Sequence, residues 1–208
     1  MARHGAIAGA RRAENRRPLG GTTVARRRPS ARSAGDATVT LAATLHDPSG
    51  TLAPTIRRRL ASLQALYSGV AVATSPPTAP AVNALLEAQG VYAGTPAANA
   101  RGPLYRLAVR RALASRAARV HYVDFDRALH WIERAPRELA ALLCLARRRS
   151  VLLVGRTDAA HRTHHRPLYA TESAVNARFA ARFGLRGRVD FLVPSFVLTC
   201  EAAARLLD

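Results

Sequence analysis

The sequence contains no lysine, although its 32 basic residues outnumber its 13 acidic residues and give a formal net charge of +19. Basic side chains attract phosphate backbones, so a surplus of this kind is typical of nucleic-acid-binding proteins. Because every basic residue other than histidine is arginine, the surplus also fits a coding bias towards arginine. The charge is therefore compatible with nucleic-acid binding and does not establish it.

Long apolar runs and cysteines are also scarce. No uninterrupted apolar run approaches the roughly 18–20 residues that a membrane-spanning helix needs, so we expect no membrane span. Cys144 and Cys200 are too few and too far apart for a zinc knuckle or a CxxC redox motif. We expect both to be buried free thiols, and we expect the protein to be cytoplasmic.

The first 35 residues differ in composition from the rest of the chain. They hold nine arginines, one acid (Glu14) and few large apolar residues. Such a segment cannot bury enough apolar surface to offset the entropy lost on ordering. We therefore predict a disordered arginine-rich tail over residues 1–36 and a single α/β domain over residues 37–208. Nucleic-acid binding by the tail is an alternative that we do not favour over a solvated extension.

From residue 38 onwards, short β-branched runs alternate with longer periodic segments rich in alanine and leucine. This alternation indicates parallel strands joined by crossover helices. The predicted fold is a doubly wound α/β sheet, mostly parallel, with helices on both faces. Strands are predicted at 38–45, 69–74, 119–123 and 150–155, with a weaker strand at 91–94 and a strand-rich stretch at 189–199. The strand at 150–155 is expected to be buried, and Pro136 is expected to start a new helix.

Two aspartates follow the strand at 119–123. Asp124 and Asp126 lie one residue apart in the sequence VDFD, and ligands of open α/β sheets bind outside the carboxyl ends of the strands. Side chains alternate along extended backbone, so both carboxylates are expected on the same side, where one Mg²⁺ or Mn²⁺ ion would relieve their repulsion. The alternative is that Asp126 caps the following helix while Asp124 is solvated.

The helix that precedes this strand carries residues suited to a diphosphate. Gly102 and Arg106 open it, and Arg110 follows one turn later on the same face. A basic, solvated helix face is the alternative for each arginine. Taken together, these neighbours favour metal and diphosphate binding by Asp124 and Asp126 over helix capping.

The segment GPLYRLAVRRALASRAARVHYVDFDRAL resembles the part of GT-A glycosyltransferases in which a helix with glycine and arginine leads into an apolar strand ending in D-x-D. The segment VTLAATLHDPSGTLAPTIRRRLASL looks like the nucleotide-binding first strand and helix of the same family. Together the two segments cover about residues 38–145. The resemblance implies a fold that binds a nucleoside-diphosphate sugar with Mg²⁺ or Mn²⁺ and transfers the sugar to an acceptor that the sequence does not identify.

The resemblance also implies roles for particular residues. Asp124 and Asp126 match the motif for metal and nucleotide, and Arg106 matches the diphosphate-side arginine. The first strand and its turn, which would contact the nucleotide, contribute Thr44, His46 and Asp47. The family often has an acid at the end of its second strand, where this chain has ATSPPTAP.

Inverting members of the family also need a carboxylate base near the acceptor. The candidates in this chain are Asp158, Glu172 and Glu201. Asp158 is preferred, because it follows the strand at 150–155 and would share its sheet edge.

Three other functions are weighed against this one. A non-catalytic basic α/β domain would bind nucleotide or nucleic acid through its arginines. A haloacid-dehalogenase-like phosphatase also carries D-x-D, but there the motif ends the first strand and a hydroxyl residue stands where this chain has Ala128. A zinc site at His161, His164 and His165 is not favoured, because no cysteine or acid has ligand spacing. A polar loop over the phosphates is expected there.

Overall fold

The computed structural model describes residues 38–163, 166–187 and 190–207. The predicted tail over residues 1–36 lies outside the described residues, as do His164 and His165. The strands are β1 (Val39–Leu45), β2 (Gly69–Thr74), β3 (Tyr92–Gly94), β4 (Arg119–Asp124), β5 (Val151–Leu153) and β6 (Phe196–Thr199). The helices are α1 (Ala53–Leu66), α2 (Pro80–Ala88), α3 (Arg101–Leu113), α4 (Phe125–Arg134), α5 (Pro136–Ala146), α6 (Asp158–His161), α7 (Arg166–Arg182) and α8 (Cys200–Arg205).

The six strands form one mixed sheet in the order β3-β2-β1-β4-β6-β5. Strands β1 to β4 pair in parallel, as the sequence predicted. Strand β6 runs antiparallel to both β4 and β5, and this reversal was not predicted. The structure is therefore an α/β fold with a mixed sheet.

Buried side chains lie on both faces of the sheet. All seven residues of β1 are buried, which is typical of a central strand covered on both sides. Leu41 and Ala43 pack with residues of α1, α2, α4 and α5. Ala42, which points to the opposite face, packs with residues of α3 and α8. Helices on both faces thus agree with the prediction.

A proline and a glycine lie at helix boundaries, and the proline lies where the sequence predicted it. Pro136 is the first residue of α5, where its missing N–H removes no helical hydrogen bond. Gly90 has a φ of 68°, a left-handed conformation that glycine adopts without strain, and it stands two residues after the end of α2.

Strand β5 differs from the prediction of a buried strand at 150–155. It spans three residues at the edge of the sheet, and Val151 and Leu153 are 53% and 79% exposed. An apolar run has the same pattern whether it lies at the centre of a sheet or at its edge. The predicted burial was therefore wrong. The stretch at 189–199 is likewise shorter as a strand, which begins only at Phe196.

The cysteines are only partly as predicted. Cys144 is exposed, so its predicted burial was wrong, and Cys200 is half-buried. The Cys200 thiol donates to the carbonyl of Ala117, with 3.0 Å between the sulfur and the oxygen. Within the described ranges, no helix is both long enough and apolar enough to cross a membrane.

Candidate functional site

The carboxyl ends of β1, β2 and β4 and the amino end of α3 surround a cavity of about 860 Å³, which we call the edge cavity. This volume lies within the range of about 300–1,000 Å³ that is usual for ligand sites. The parallel strands β1, β2 and β4 all end at this edge, so the register of the sheet itself brings the site together. The charged residues that line the cavity are Arg101, Asp124, Asp126, Arg127 and Glu172, with His46 beside them.

Asp124 is held by its neighbour on β1. Thr44 pairs with Asp124 across the sheet, and its hydroxyl donates to Asp124 Oδ1 over 3.2 Å. The Tyr122 hydroxyl lies 2.8 Å from the same threonine oxygen. Because the hydrogen of Thr44 goes to the carboxylate, Tyr122 must be the donor to Thr44. Burial raises the pKa of Tyr122, so this donor stays protonated.

Asp126 lies one residue into a helix and not in extended backbone. Strand β4 ends at Asp124, and α4 begins at Phe125. The two carboxylates therefore do not lie on one side of an extended strand, as was predicted, although both line the edge cavity. The alternative, in which Asp126 caps the helix and Asp124 is solvated, is only partly correct. Asp124 occupies the N-cap position without a side-chain cap hydrogen bond, and Asp126 accepts from the N–H of Arg127 over 2.8 Å.

The two carboxylates interact electrostatically. Burial raises the pKa of Asp124, and the charge of Asp126 raises it further, while Arg127, Thr44 and Arg101 act in the opposite direction. A raised pKa means that the ionised form of Asp124 is disfavoured in its surroundings. A cation placed between the two carboxylates would remove this penalty.

The arginines of the edge cavity are not the ones that the sequence singled out. Arg106 and Arg110 are exposed on α3 and are not among the described residues that line the cavity, and the Arg106 guanidinium lies against Gly102. Arg101 and Arg127 line it instead. The signal for Arg127 was its position directly after D-x-D. No signal in the sequence pointed to Arg101, because a helix face cannot be assigned before the start of the helix is known.

The amino end of α3 also lines the edge cavity through Ala100 and Arg101. No side chain caps this end, and no acid lies in its first turn. The first N–H groups of a helix lack intrahelical partners and carry partial positive charge, which makes them suitable for phosphate oxygens.

The other predicted nucleotide contacts separate into two groups. Thr44 and His46 line the edge cavity, and His46 Nδ1 lies 2.7 Å from the Ser75 hydroxyl. Asp47 is buried in the turn before α1, where its carboxylate accepts the N–H groups of Thr51 and Leu52. The structure therefore assigns Asp47 to the turn and does not bring it into the cavity.

The three candidate bases occupy different places. Asp158 is exposed in the first turn of α6 and is not among the described residues that line the edge cavity. Glu201 is exposed on α8 and pairs with Arg205. Glu172 is the candidate that lines the edge cavity.

Glu172 belongs to a buried cluster that we call the Arg156 network, formed by Arg156, His161, Glu172, Asn176 and Asp190. Arg156 contacts Glu172 at 2.6 Å and Asp190 at 2.7 Å. His161 is fully buried and lies 2.9 Å from Glu172 Oε2, so it is not part of a solvated polar loop as predicted. Although burial opposes the shift, hydrogen bonds from Arg156 hold the pKa of Asp190 well below its usual range.

Taken together, the fold and the site define an α/β protein with paired carboxylates, two arginines and an uncapped helix end in one cavity at the carboxyl edge of its sheet. The described residues contain no group of three or more histidine, cysteine or acidic side chains arranged to hold a metal ion. Comparisons with family models, with curated proteins and with solved structures yield no match.

Proposed function

We propose that this protein binds a nucleoside-diphosphate sugar in the edge cavity together with Mg²⁺ or Mn²⁺, and transfers the sugar to an acceptor. The observation that carries the proposal is the joint placement of Asp124, Asp126, Arg101 and Arg127 around one cavity of about 860 Å³. Two carboxylates next to two guanidinium groups suit a metal-bound diphosphate, because the acids take the cation and the arginines take the phosphate oxygens.

The residues present fit such a cation. Mg²⁺ is commonly held by one or two carboxylates, with water and substrate phosphates completing its coordination. Two aspartates are therefore sufficient protein ligands, and a third acidic residue is not needed. The raised pKa of Asp124 supports the fit, since the pair lacks a compensating charge strong enough to cancel burial. Thr44 keeps the Asp124 carboxylate oriented through its hydrogen bond.

The phosphates would be bound by the protein as well as by the cation. Arg127 lies 3.5 Å from Asp124 and lines the edge cavity, so its guanidinium would be available to a diphosphate bound there. The Arg101 side chain and the N–H groups of Arg101 and Gly102, at the uncapped start of α3, would provide further donors. When bound, the cation would supply Lewis-acid stabilisation of the charge that develops on the leaving diphosphate.

The transfer breaks the bond between the sugar C1 and the diphosphate oxygen and forms a bond from C1 to the acceptor oxygen. The proton of the acceptor hydroxyl must pass to a base. We propose Glu172 for this role in place of Asp158, because Glu172 lines the edge cavity. Arg156 and His161 fix the position of its carboxylate.

The test is release of the nucleoside diphosphate from a panel of uridine, guanosine and adenosine diphosphate sugars in the presence of Mn²⁺. We expect Asp126→Asn to lower the rate by about a hundredfold or more. Glu172→Gln should lower it by at least about a hundredfold, while Asp158→Asn and the surface control Glu201→Gln should match the unmodified protein. A folded protein that releases no nucleoside diphosphate from any of these sugars contradicts the proposal.

A further inference from the structure

A second cavity, which we call the side cavity, lies between α4, the start of α5 and residues 154–163. It has a volume of about 560 Å³. Asp126 and Arg127 line both cavities, so the end of D-x-D and the residue after it lie where the two adjoin. Apart from Arg156, which holds Glu172 in place, the chemistry proposed for the edge cavity uses none of the other residues that line the side cavity.

The side cavity has an apolar wall and an aromatic side chain. Trp131, the only tryptophan of the chain, lines it together with Val123, Val154 and Val193. Trp131 is half-buried, and its ring lies edge-on to the buried ring of His121, with 6.3 Å between the centroids. A rigid aromatic ring beside aliphatic side chains favours a ligand with an apolar ring face.

Charges around the side cavity decide the class of ligand. Three arginines line it, namely Arg127, Arg134 and Arg156, together with two acids, Asp126 and Glu138. Two of these arginines already contact carboxylates that do not line the side cavity. Arg127 contacts Asp124, and Arg156 contacts Asp190 and Glu172. When these three partner carboxylates are counted with the two acids of the lining, five acids stand against three arginines around this cavity, although the chain as a whole is strongly basic. An anionic ligand is disfavoured there, and a neutral one is not.

Polar groups suited to a hydroxylated ligand also line the side cavity. Thr157 and Thr163 contribute hydroxyl groups, and His130 contributes an imidazole ring. Because a hydroxyl group both donates and accepts hydrogen bonds, these threonines can bind the hydroxyl groups of a neutral ligand.

We propose that the side cavity binds a neutral, hydroxylated molecule with an apolar ring face, and that this molecule is the acceptor of the transferred sugar. Its ring packs against Trp131, and its hydroxyl groups form hydrogen bonds with Thr157 and Thr163. The assignment as acceptor rests on the proposed function, because an acceptor is needed only if a sugar is transferred in the adjoining edge cavity. The binding of a neutral ligand in the side cavity does not depend on the proposed function.

Fluorescence of Trp131 tests the binding directly, since it is the only tryptophan and lies in the side cavity. The probe is phenyl β-glucoside, and phenyl phosphate, which carries the same ring with a negative charge, is the matched ligand. Ala160→Leu fills the side cavity, whereas Ala170→Leu changes an equally exposed helical alanine elsewhere. Arg101→Gln alters a residue that lines the edge cavity and not the side cavity.

We expect saturable quenching by phenyl β-glucoside that persists in Arg101→Gln and Ala170→Leu, and an affinity at least tenfold lower in Ala160→Leu. Phenyl phosphate should bind at least tenfold more weakly than the glucoside. Absence of quenching, equal quenching in Ala160→Leu, or tighter binding of phenyl phosphate overturns the inference.

The two proposals fail separately in these experiments. Quenching without any release of nucleoside diphosphate from the sugars leaves the neutral site standing and removes the transferase. Release without quenching leaves the transferase standing and removes the side cavity as its acceptor site.

Discussion

His121 is fully buried in the middle of β4, and its ring nitrogens lie 2.7 Å from the Tyr67 hydroxyl and 3.1 Å from the Ser195 hydroxyl. Burial lowers its pKa to about 3, because a charged imidazole loses its hydration there. The ring is therefore neutral in the folded protein, with one nitrogen donating a hydrogen bond and the other accepting one. The three side chains join β4 to the residue after α1 and to the residue before β6.

This burial predicts a loss of stability in weak acid. Below the unfolded pKa of about 6.5, the unfolded chain protonates His121 and the folded protein does not until the pH approaches 3. The free energy of unfolding should therefore fall as the pH drops through this window, by up to about 1.4 kcal/mol per pH unit from this group. Above the window His121 is neutral in both states, so the full stability is present there.

Urea unfolding between about pH 4.5 and 6.5, where ordinary aspartates stay ionised, measures this slope. His121→Gln should flatten it, and the exposed control His130→Gln should leave it as in the unmodified protein. Equal slopes in the His121 variant and the unmodified protein would count against the account of His121.

The Arg156 network connects elements that define the walls of the edge cavity. Arg156 stands after β5, Glu172 and Asn176 lie on α7, and Asp190 precedes the cavity residues Phe191 and Leu192. Asn176 donates to Asp190 and accepts from the N–H of Phe191. The segment before β6 is therefore held by side chains, since it is not part of the sheet.

Removing the arginine should cost far more than a surface ion pair does. Arg156→Met leaves Asp190 and Glu172 buried without their cation, and we expect the free energy of unfolding to fall by about 3–5 kcal/mol. Breaking the exposed pair on α8 with Arg205→Met should change it by less than about 1 kcal/mol. Chemical denaturation of both variants measures the contrast, and similar losses would show that the Arg156 network does not stabilise the fold.

Across the whole molecule, the sequence was informative where the pattern is local. The central strands β1, β2 and β4 and the break at Pro136 agree with their predicted positions, because β-branched runs, helical periodicity and proline each act within a few residues. The exposure of β5 and the reversal of β6 depend on which strands become neighbours in the sheet. Neither property is encoded in the run of residues itself.

The residues of the edge cavity also differ in how far a local sequence pattern could predict them. Asp124 and Asp126 were predicted at this edge, because they follow a predicted parallel strand and the carboxyl ends of such strands meet there. Thr44 was predicted from the resemblance of the first strand. Arg101 was not predicted, and Glu172 was a candidate base ranked below Asp158, since their positions depend on the start of α3 and on the packing of α7. His161 was predicted in a polar loop and is buried instead, because its partner Glu172 lies 11 residues further along the chain.

The net charge of +19 predicts a second kind of binding that is independent of the site. We expect weak binding to any DNA duplex, with an affinity that falls by about a thousandfold between 50 and 200 mM salt if about six phosphates are neutralised. Asp126→Asn should bind DNA as the unmodified protein does, because it leaves the arginines in place. Fluorescence anisotropy at several salt concentrations measures this, and DNA binding that requires Asp126 would contradict it.

The central claim is that the edge cavity binds a diphosphate through a metal held by Asp124 and Asp126. Calorimetric titration with uridine, guanosine, adenosine and cytidine diphosphates, each with and without Mn²⁺, tests it most directly at physiological salt, where non-specific attraction to arginine is screened. We expect saturable binding of at least one nucleotide. This binding should require Mn²⁺, be lost in Asp126→Asn and be retained in Glu201→Gln. Binding that is the same without Mn²⁺ or in Asp126→Asn, or no binding of any nucleotide by the folded protein, would contradict it.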